Sequence, residues 1–242
     1  LPAGIYPYQS PPDAPTPYRL HLRLAPDGEG LLIINASTVL HLNQTAAEYA
    51  YHLIQGTPKQ QVSEIIAKRY SVSVAQAGQD FHELSERIDS LIHTPDLDPE
   101  VFLGFERLAP YSTSLSAPYR LDCALTYRCS EGASPLIVPV ARVTRELETA
   151  EWQTILKKAW DAGIPQIVFT GGEPTLRPDL EDLVAYAESL GQVTGLLTDG
   201  LRLAETELLH NLLQSGLDHI MFLLDPSNET SWEALRDALA ED

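Results

Sequence analysis

The chain of 242 residues has only two cysteines, Cys123 and Cys129, which allow neither a disulfide framework nor a four-thiolate metal site. Basic residues are also few: 16 Lys and Arg stand against 34 Asp and Glu, a net charge of −18. That balance removes the counterion-release drive of general nucleic-acid binding and opposes docking on anionic membranes, so neither is expected as a partner. No apolar run approaches the roughly 20 residues that span a bilayer. No Gly-x4-Gly-Lys-Ser/Thr loop occurs, and the seven histidines are dispersed without an i, i+4 pair around a Glu, which argues against a nucleotide triphosphatase and a zinc hydrolase. The single methionine is Met221, so the sequence reads as processed, trimmed or part of a longer chain. The first 25 residues show no basic stretch followed by an apolar core and cleavage site, which makes the cytoplasm the default location.

Two textures divide what is present. Residues 1–17 carry six prolines and read as an extended, poorly packed arm. Residues 18–93 read as a small α+β domain of three strands and three helices. Leu20, Leu22 and Leu24 alternate with Arg19, His21 and Arg23, the period of a strand. The turn Pro26-Asp27-Gly28-Glu29-Gly30 returns the chain to a second strand at Leu31–Ile34, and Ser37–Leu42 is a third. A helix over Thr45–Gln55 closes on Gly56. Thr57 is expected to cap the next helix with Pro58 at its first position, and Phe81, Leu84, Ile88, Leu91 and Ile92 form the apolar stripe of the third. Residues 94–118 read as a linker holding an apolar patch (Val101, Phe102, Leu103, Phe105) that suits either neighbour.

Residues 119–242 alternate strand and helix signals, the mark of a parallel α/β sheet. Strands are expected at Leu121–Tyr127, Gln166–Thr170, Val193–Thr198 and Ile220–Leu224, each followed by a helix, the last beginning at Ser231. Four β–α units are half of a closed eight-unit barrel. The last strand would be a bare apolar edge, so either more chain follows or a partner covers it; continuation of the chain is the preferred reading.

Ligands of parallel α/β folds gather at the carboxyl ends of strands. Four loops qualify: 128–139, 171–175, 199–200 and 225–228. In Thr170-Gly171-Gly172-Glu173-Pro174-Thr175, two glycines permit a sharp bend or a close ligand approach, and a carboxylate follows. A ligand ammonium group would suit backbone carbonyls and that carboxylate; the alternative is a glycine turn with a solvated Glu. The acidic runs Glu146-Leu147-Glu148 and Asp179–Asp182 sit at helix starts, where they complement the dipole, and are given no catalytic role.

Thr126-Tyr127-Arg128-Cys129, followed one β–α unit later by Gly171-Gly172-Glu173-Pro174, resembles the core of radical S-adenosylmethionine (radical SAM) enzymes. The resemblance implies a partial (β/α) barrel, a [4Fe–4S] cluster on a Cys-x3-Cys-x2-Cys loop and S-adenosylmethionine as cofactor, its amino group received by the Gly-Gly-Glu-Pro segment. Cleavage of the sulfonium would give a 5′-deoxyadenosyl radical. Thr198-Asp199-Gly200 is similar to the family's Thr-Asn-Gly, and Leu223-Leu224-Asp225-Pro226 stands where many members carry Ser-Leu-Asp-Gly. The implied cofactor-binding residues are Gly171, Gly172, Glu173, Pro174, Thr198 and Asp199, and the implied metal ligand is Cys129. The other two ligand positions fall on Ala133 and Leu136, which cannot bind iron. Cys123 lies six residues upstream on one strand, roughly 20 Å away at about 3.3 Å per residue, too far to replace them or to pair with Cys129.

The N-terminal unit resembles the peptide-recognition domain of ribosomal-peptide maturation, whose type member is the D-component of pyrroloquinoline quinone biosynthesis. That resemblance implies a leader peptide added as a strand to the sheet edge and packed against a helix; the alternative is a winged-helix-like accessory domain. Together the resemblances imply an enzyme that modifies a ribosomally made peptide, or a cluster-less relative that binds a leader peptide or partner enzyme. Both require the tip after Tyr127 and the Gly171–Gly172 pair to face each other across the mouth of the sheet.

Overall fold

The structure, a computed structural model, describes residues 1–11, 13–94, 97, 100, 104, 116–131, 143–204 and 206–241. It divides into two compact units, Leu1–Ser116 and Ala117–Asp242. The apolar patch of the expected linker and the positions Ala133 and Leu136 lie outside the described residues.

Unit 1 is a four-stranded antiparallel sheet, in the order β1 (Gly4–Gln9), β2 (Arg19–Leu24), β3 (Gly30–Ile34) and β4 (Thr38–Leu42). It is followed by α1 (Gln44–Ile54), α2 (Lys59–Tyr70) and α3 (Val74–His93). The expected proline-rich arm is corrected here: residues 4–9 form a strand, because an edge strand tolerates Pro7 when its missing N–H faces away from the ladder. Three expected strands become four. Leu20, Leu22 and Leu24 turn inward with Leu32, Ile34, Leu40 and Leu42 against Ala47, Ala50 and Ile54 of α1 and Ile88 of α3.

Helix α1 begins where the Asn43 side chain accepts from the Ala46 N–H at 2.9 Å, and it ends at Gly56, whose φ of +63° only glycine adopts cheaply. The expected Thr57 cap differs. Helix α2 starts at Lys59 with no side-chain cap, and the Thr57 hydroxyl lies 3.2 Å from His52 Nδ1 instead. Glu48, buried in α1, accepts from Arg69 Nη1 at 2.6 Å and from the Tyr70 hydroxyl at 3.0 Å, which joins α1 to the end of α2.

Unit 2 is a parallel sheet in the order β5 (Arg120–Thr126), β6 (Gln166–Gly171), β7 (Val193–Thr198) and β8 (His219–Phe222). Helices α4 (Thr149–Asp161), α5 (Leu180–Leu190) and α6 (Thr206–Gln214) connect these strands, and α7 (Glu229–Glu241) follows β8. One sheet face carries Cys123, Leu125, Ile167, Phe169 and Leu196 into a core with Trp152, Leu156, Leu180, Leu183 and Leu212. Each such side chain, fully buried, contributes roughly 1.5–3 kcal/mol. Alternate residues on β5, Arg120 and Asp122, are exposed and paired with each other at 2.7 Å. Because the four strands run parallel, their carboxyl ends share one rim, and the described parts of the candidate loops leave from it.

Candidate functional site

Backbone hydrogen bonds bring the first two loops together. The Gly172 N–H donates to Thr126 O, and the Glu173 N–H to Arg128 O, both at 2.7 Å. Gly171 has φ +131°, and a Cβ there would run into the Thr126 carbonyl. A Cβ on Gly172 would run into the Arg128 carbonyl and lie 3.0 Å from Cys129 Sγ. Two glycines in succession are therefore what lets the Cys129 loop close onto the β6 turn.

Glu173 crosses from this turn to the next. It is 1% exposed, and its Oε1 accepts from the Thr175 N–H (2.9 Å), the Thr175 hydroxyl (2.5 Å) and the Thr198 hydroxyl (2.8 Å). Its Oε2 accepts from the Asp199 N–H at 2.8 Å. Burial holds this carboxyl above the usual carboxylate range, although the bonds from Thr175 and Asp199 act in the opposite direction. A carboxylate offers about four acceptor sites, two on each oxygen; three donors of the chain crowd Oε1, and Oε2 carries one. The side chain is a brace between β6 and β7, and its burial overturns the alternative of a solvated Glu.

The bracing continues around the rim. Thr198 Oγ1 accepts from the Gly200 N–H at 3.0 Å, and the Ser231 hydroxyl donates to Asp199 O at 3.3 Å. The Leu223 N–H donates to Thr198 O at 2.8 Å, while the Leu223 side chain is exposed. Pro174 opens a short 3-10 turn, and its last carbonyls are held from outside: Leu176 O by Arg128 Nη2 at 3.1 Å, Thr175 O by Arg202 Nη1 at 2.5 Å.

Carboxylates also anchor the base of the Cys129 loop. Glu146 Oε1 accepts from the Thr126 hydroxyl at 2.5 Å and from the Tyr127 N–H at 2.9 Å, and the Thr126 bond is the main reason its pKa is lowered. Arg177, buried in the turn after Glu173, donates to Leu125 O and Leu147 O at 3.0 Å each. Its other two donors meet Asp179 at 2.8 and 2.6 Å, and Asp179 also accepts from the Thr149 hydroxyl at 2.6 Å. The acidic runs at the helix starts do more than complement dipoles: Glu146 and Asp179 hold loop and turn in register, while Glu148 caps α4 in a capping box with Glu151, and Asp179 stands at the N-cap of α5 with Glu181 and Asp182 in its first turn.

The two thiols differ in kind. Cys123 lies in the core, where burial pushes it up to about 12. Cys129 is half-buried beside Gly172; burial raises its pKa, and the Asp199 and Glu173 carboxylates add to the rise. Iodoacetamide at neutral pH is expected to alkylate Cys129 more slowly than an unperturbed thiol and Cys123 only on unfolding. Mass spectrometry over time would show it, and rapid modification of Cys123 in the folded chain would contradict the assignment.

With this geometry in place, the family model described as the Radical SAM superfamily matches residues 126–240. This part of the chain is similar to the radical SAM superfamily. Over 127 residues the chain is 35% identical to a PqqA peptide cyclase of Streptomyces rochei, covering 52% of this chain and 35% of that protein. It therefore spans about a third of that curated relative. Among solved structures, Streptococcus suis SuiB bound to precursor peptide SuiA gives a TM-score of 0.46 at 16% identity, over 90% of this chain and 59% of SuiB. SuiB bound to S-adenosylmethionine gives 0.46 at 15%, over 91% and 59%.

The radical SAM superfamily implies a [4Fe–4S] cluster and S-adenosylmethionine, and the donor set decides whether this loop fits the cluster. It does not. Cys129 is the one thiol of the loop, Ala133 and Leu136 offer no ligand atom, and Cys123 is in the core. Among the described residues no group of three His, Cys, Asp or Glu side chains is arranged to hold a metal ion. Of the residues singled out in sequence, the structure brings Cys129, Gly171, Gly172, Glu173, Thr198 and Asp199 together. Arg177, Arg202 and Ser231 were missed as site residues, since none stands in a recognisable motif, and Thr175 was legible only as the end of the glycine turn.

Proposed function

We propose that this chain is the recognition unit and the first four β–α units, a partial (β/α) barrel, of a radical SAM-type protein acting on a ribosomally made peptide. The observation that carries the reading is the closure of the Cys129 loop onto Gly172 at the rim of a parallel sheet, in a chain that opens with an antiparallel sheet suited to strand addition. S-adenosylmethionine would meet this rim at Gly171, Gly172, Glu173 and Pro174 on one side and Thr198 and Asp199 on the other. With Glu173 Oε1 already bonded, the backbone of the turn and the remaining acceptor capacity of Glu173 Oε2 would receive its amino group. Peptide and cofactor would be held by different units, and further chain or a partner would cover the β8 edge.

The single thiol favours a second reading for the chain as written: a cluster-less relative that binds a leader peptide or partner enzyme. Anaerobic reconstitution with iron and sulfide separates the two. The wild-type chain is expected to stay colourless, and Ala133→Cys with Leu136→Cys to retain about four irons, the content of one [4Fe–4S] cluster. Iron retained by the wild type would support the modifying enzyme, with the cluster held by ligands other than three loop cysteines. A double variant without iron would count against the superfamily's ligand arrangement at this rim. For peptide recognition, Leu20→Asp or Leu32→Asp in folded protein is expected to abolish binding of a precursor peptide, and unchanged affinity would refute strand addition.

A further inference from the structure

We propose that β1 is a removable occupant of the peptide-binding edge: residues 4–9 fill, on β2 and beside α3, the place that an extended segment of the peptide partner takes, with aromatic residues at alternate positions. The proposal deepens the recognition reading and rests on it.

The hydrogen-bond parity of the sheet comes first. Ser10 N–H donates to Tyr18 O at 2.9 Å, and the register pairs Tyr8 with Leu20, Tyr6 with Leu22 and Gly4 with Leu24. In an antiparallel ladder alternate residues carry the bonds, so the even-numbered residues of β1 bond β2 and the odd-numbered ones face outward. Pro7 is among the latter and has no N–H to offer. The outer side of β1 is thus a poor template for another strand, and a peptide reaches this side of the sheet only by taking the place of β1. Edge β4 lies at the other end of the sheet and contributes nothing to the groove described next.

That groove lies where β1 meets the helices. Tyr8, Tyr18, Leu20, Ile54, Ile88 and Ile92 line a cavity of about 340 Å³, with Ser85 and Asp89 as polar wall. The volume falls within the range of small-ligand sites, although only Tyr8 enters it from β1. The present occupant therefore leaves room, and an alternating aromatic pattern is what it presents: Tyr6 stands edge-on to Tyr51 at 4.9 Å, Tyr8 lies 5.6 Å from Tyr18. Asp89 favours a cationic or donor group on the incoming segment.

Strand β1 is also the part of the sheet most easily spared. Its residues are half-buried or exposed, whereas Leu22, Leu32, Ile33 and Ile34 of β2 and β3 are fully buried. It joins β2 through a connection carrying Pro11, Pro15 and Pro17 rather than through a tight turn.

The test uses the chain's own decapeptide, residues 1–10 with a fluorescein label, as probe, read by anisotropy. One comparison is between the full chain and a chain beginning at residue 11. A tethered strand competes at an effective concentration near millimolar, so the shortened chain is expected to bind the probe about 10- to 100-fold tighter. The second comparison uses the full chain with Gln9→Cys and Arg19→Cys. These face each other as a non-hydrogen-bonded pair, with a Cα spacing of about 4.5 Å that admits a disulfide. Oxidation is expected to weaken probe binding at least about 10-fold, and reduction to restore it. Equal binding to the oxidised and reduced forms overturns the proposal, and that pair decides alone if the shortened chain fails to fold. A precursor peptide that binds both forms alike overturns the shared edge and leaves recognition intact, whereas one that binds neither overturns the recognition reading.

Discussion

Replacing Arg177 by Met is expected to destabilise unit 2 by about 3–5 kcal/mol, the range for removing one partner of a buried ion pair. The guanidinium is 7% exposed and the Asp179 side chain 15%. Met keeps most of the apolar stem but leaves Leu125 O, Leu147 O and the Asp179 carboxylate without their donor. All three tryptophans, Trp152, Trp160 and Trp232, lie in unit 2, so urea unfolding followed by tryptophan fluorescence reports this unit directly. A loss below about 1 kcal/mol, the size of an exposed pair, would show that the clamp is dispensable. Asp179→Leu added to Arg177→Met is expected to recover part of the loss, because the stranded carboxylate is its largest component. The acid limb should change as well. The Arg177 bond holds Asp179 below its ordinary range, so its contribution is present above that range and disappears as pH falls through the folded value. In Arg177→Met the wild-type decline in stability on acidification should be shallower.

Arg177 also marks where sequence reasoning stops. Strand β7 spans the expected residues Val193–Thr198, and the helix stripes of unit 2 lie where their spacing puts them, because an apolar run or stripe is a local property of the sequence. The Gly-Gly turn was equally legible, since few residues besides glycine tolerate that backbone. The partners of Arg177 are not local: Leu125 and Leu147 lie 52 and 30 residues away, joined to it only by the fold. Glu146 was misread for the same reason, its donors standing 20 and 19 residues upstream. Strand β1 was hidden differently. Six prolines in 17 residues give the composition of an unpacked arm, while the alternation Tyr6-Pro7-Tyr8 that pairs with β2 is too short to outweigh it.

Glu173→Ala is expected to be as damaging as loss of Arg177, by about 3–5 kcal/mol, through a different route. It removes one acceptor group from four donors, leaving the Thr175 and Asp199 N–H groups and two hydroxyls buried, at roughly 1–3 kcal/mol for each donor that finds no substitute. Glu173→Gln separates charge from geometry. Its amide oxygen can serve the Thr175 and Thr198 donors, but its NH2 then confronts the Asp199 N–H, a backbone donor that cannot rotate away. A loss of about 1–3 kcal/mol is expected, offset in part because a neutral side chain escapes the cost of a buried charge. The pH dependence discriminates further. Burial raises this carboxyl above its unfolded value, so its favourable contribution is present below the ordinary Glu range and is lost as pH rises through the folded value. Wild type should therefore lose stability over that interval relative to Glu173→Gln. Parallel profiles, with Gln as stable as Glu at every pH, would mean that the Asp199 N–H does not depend on a carboxylate and that the β6 and β7 loops are held together by something other than this side chain.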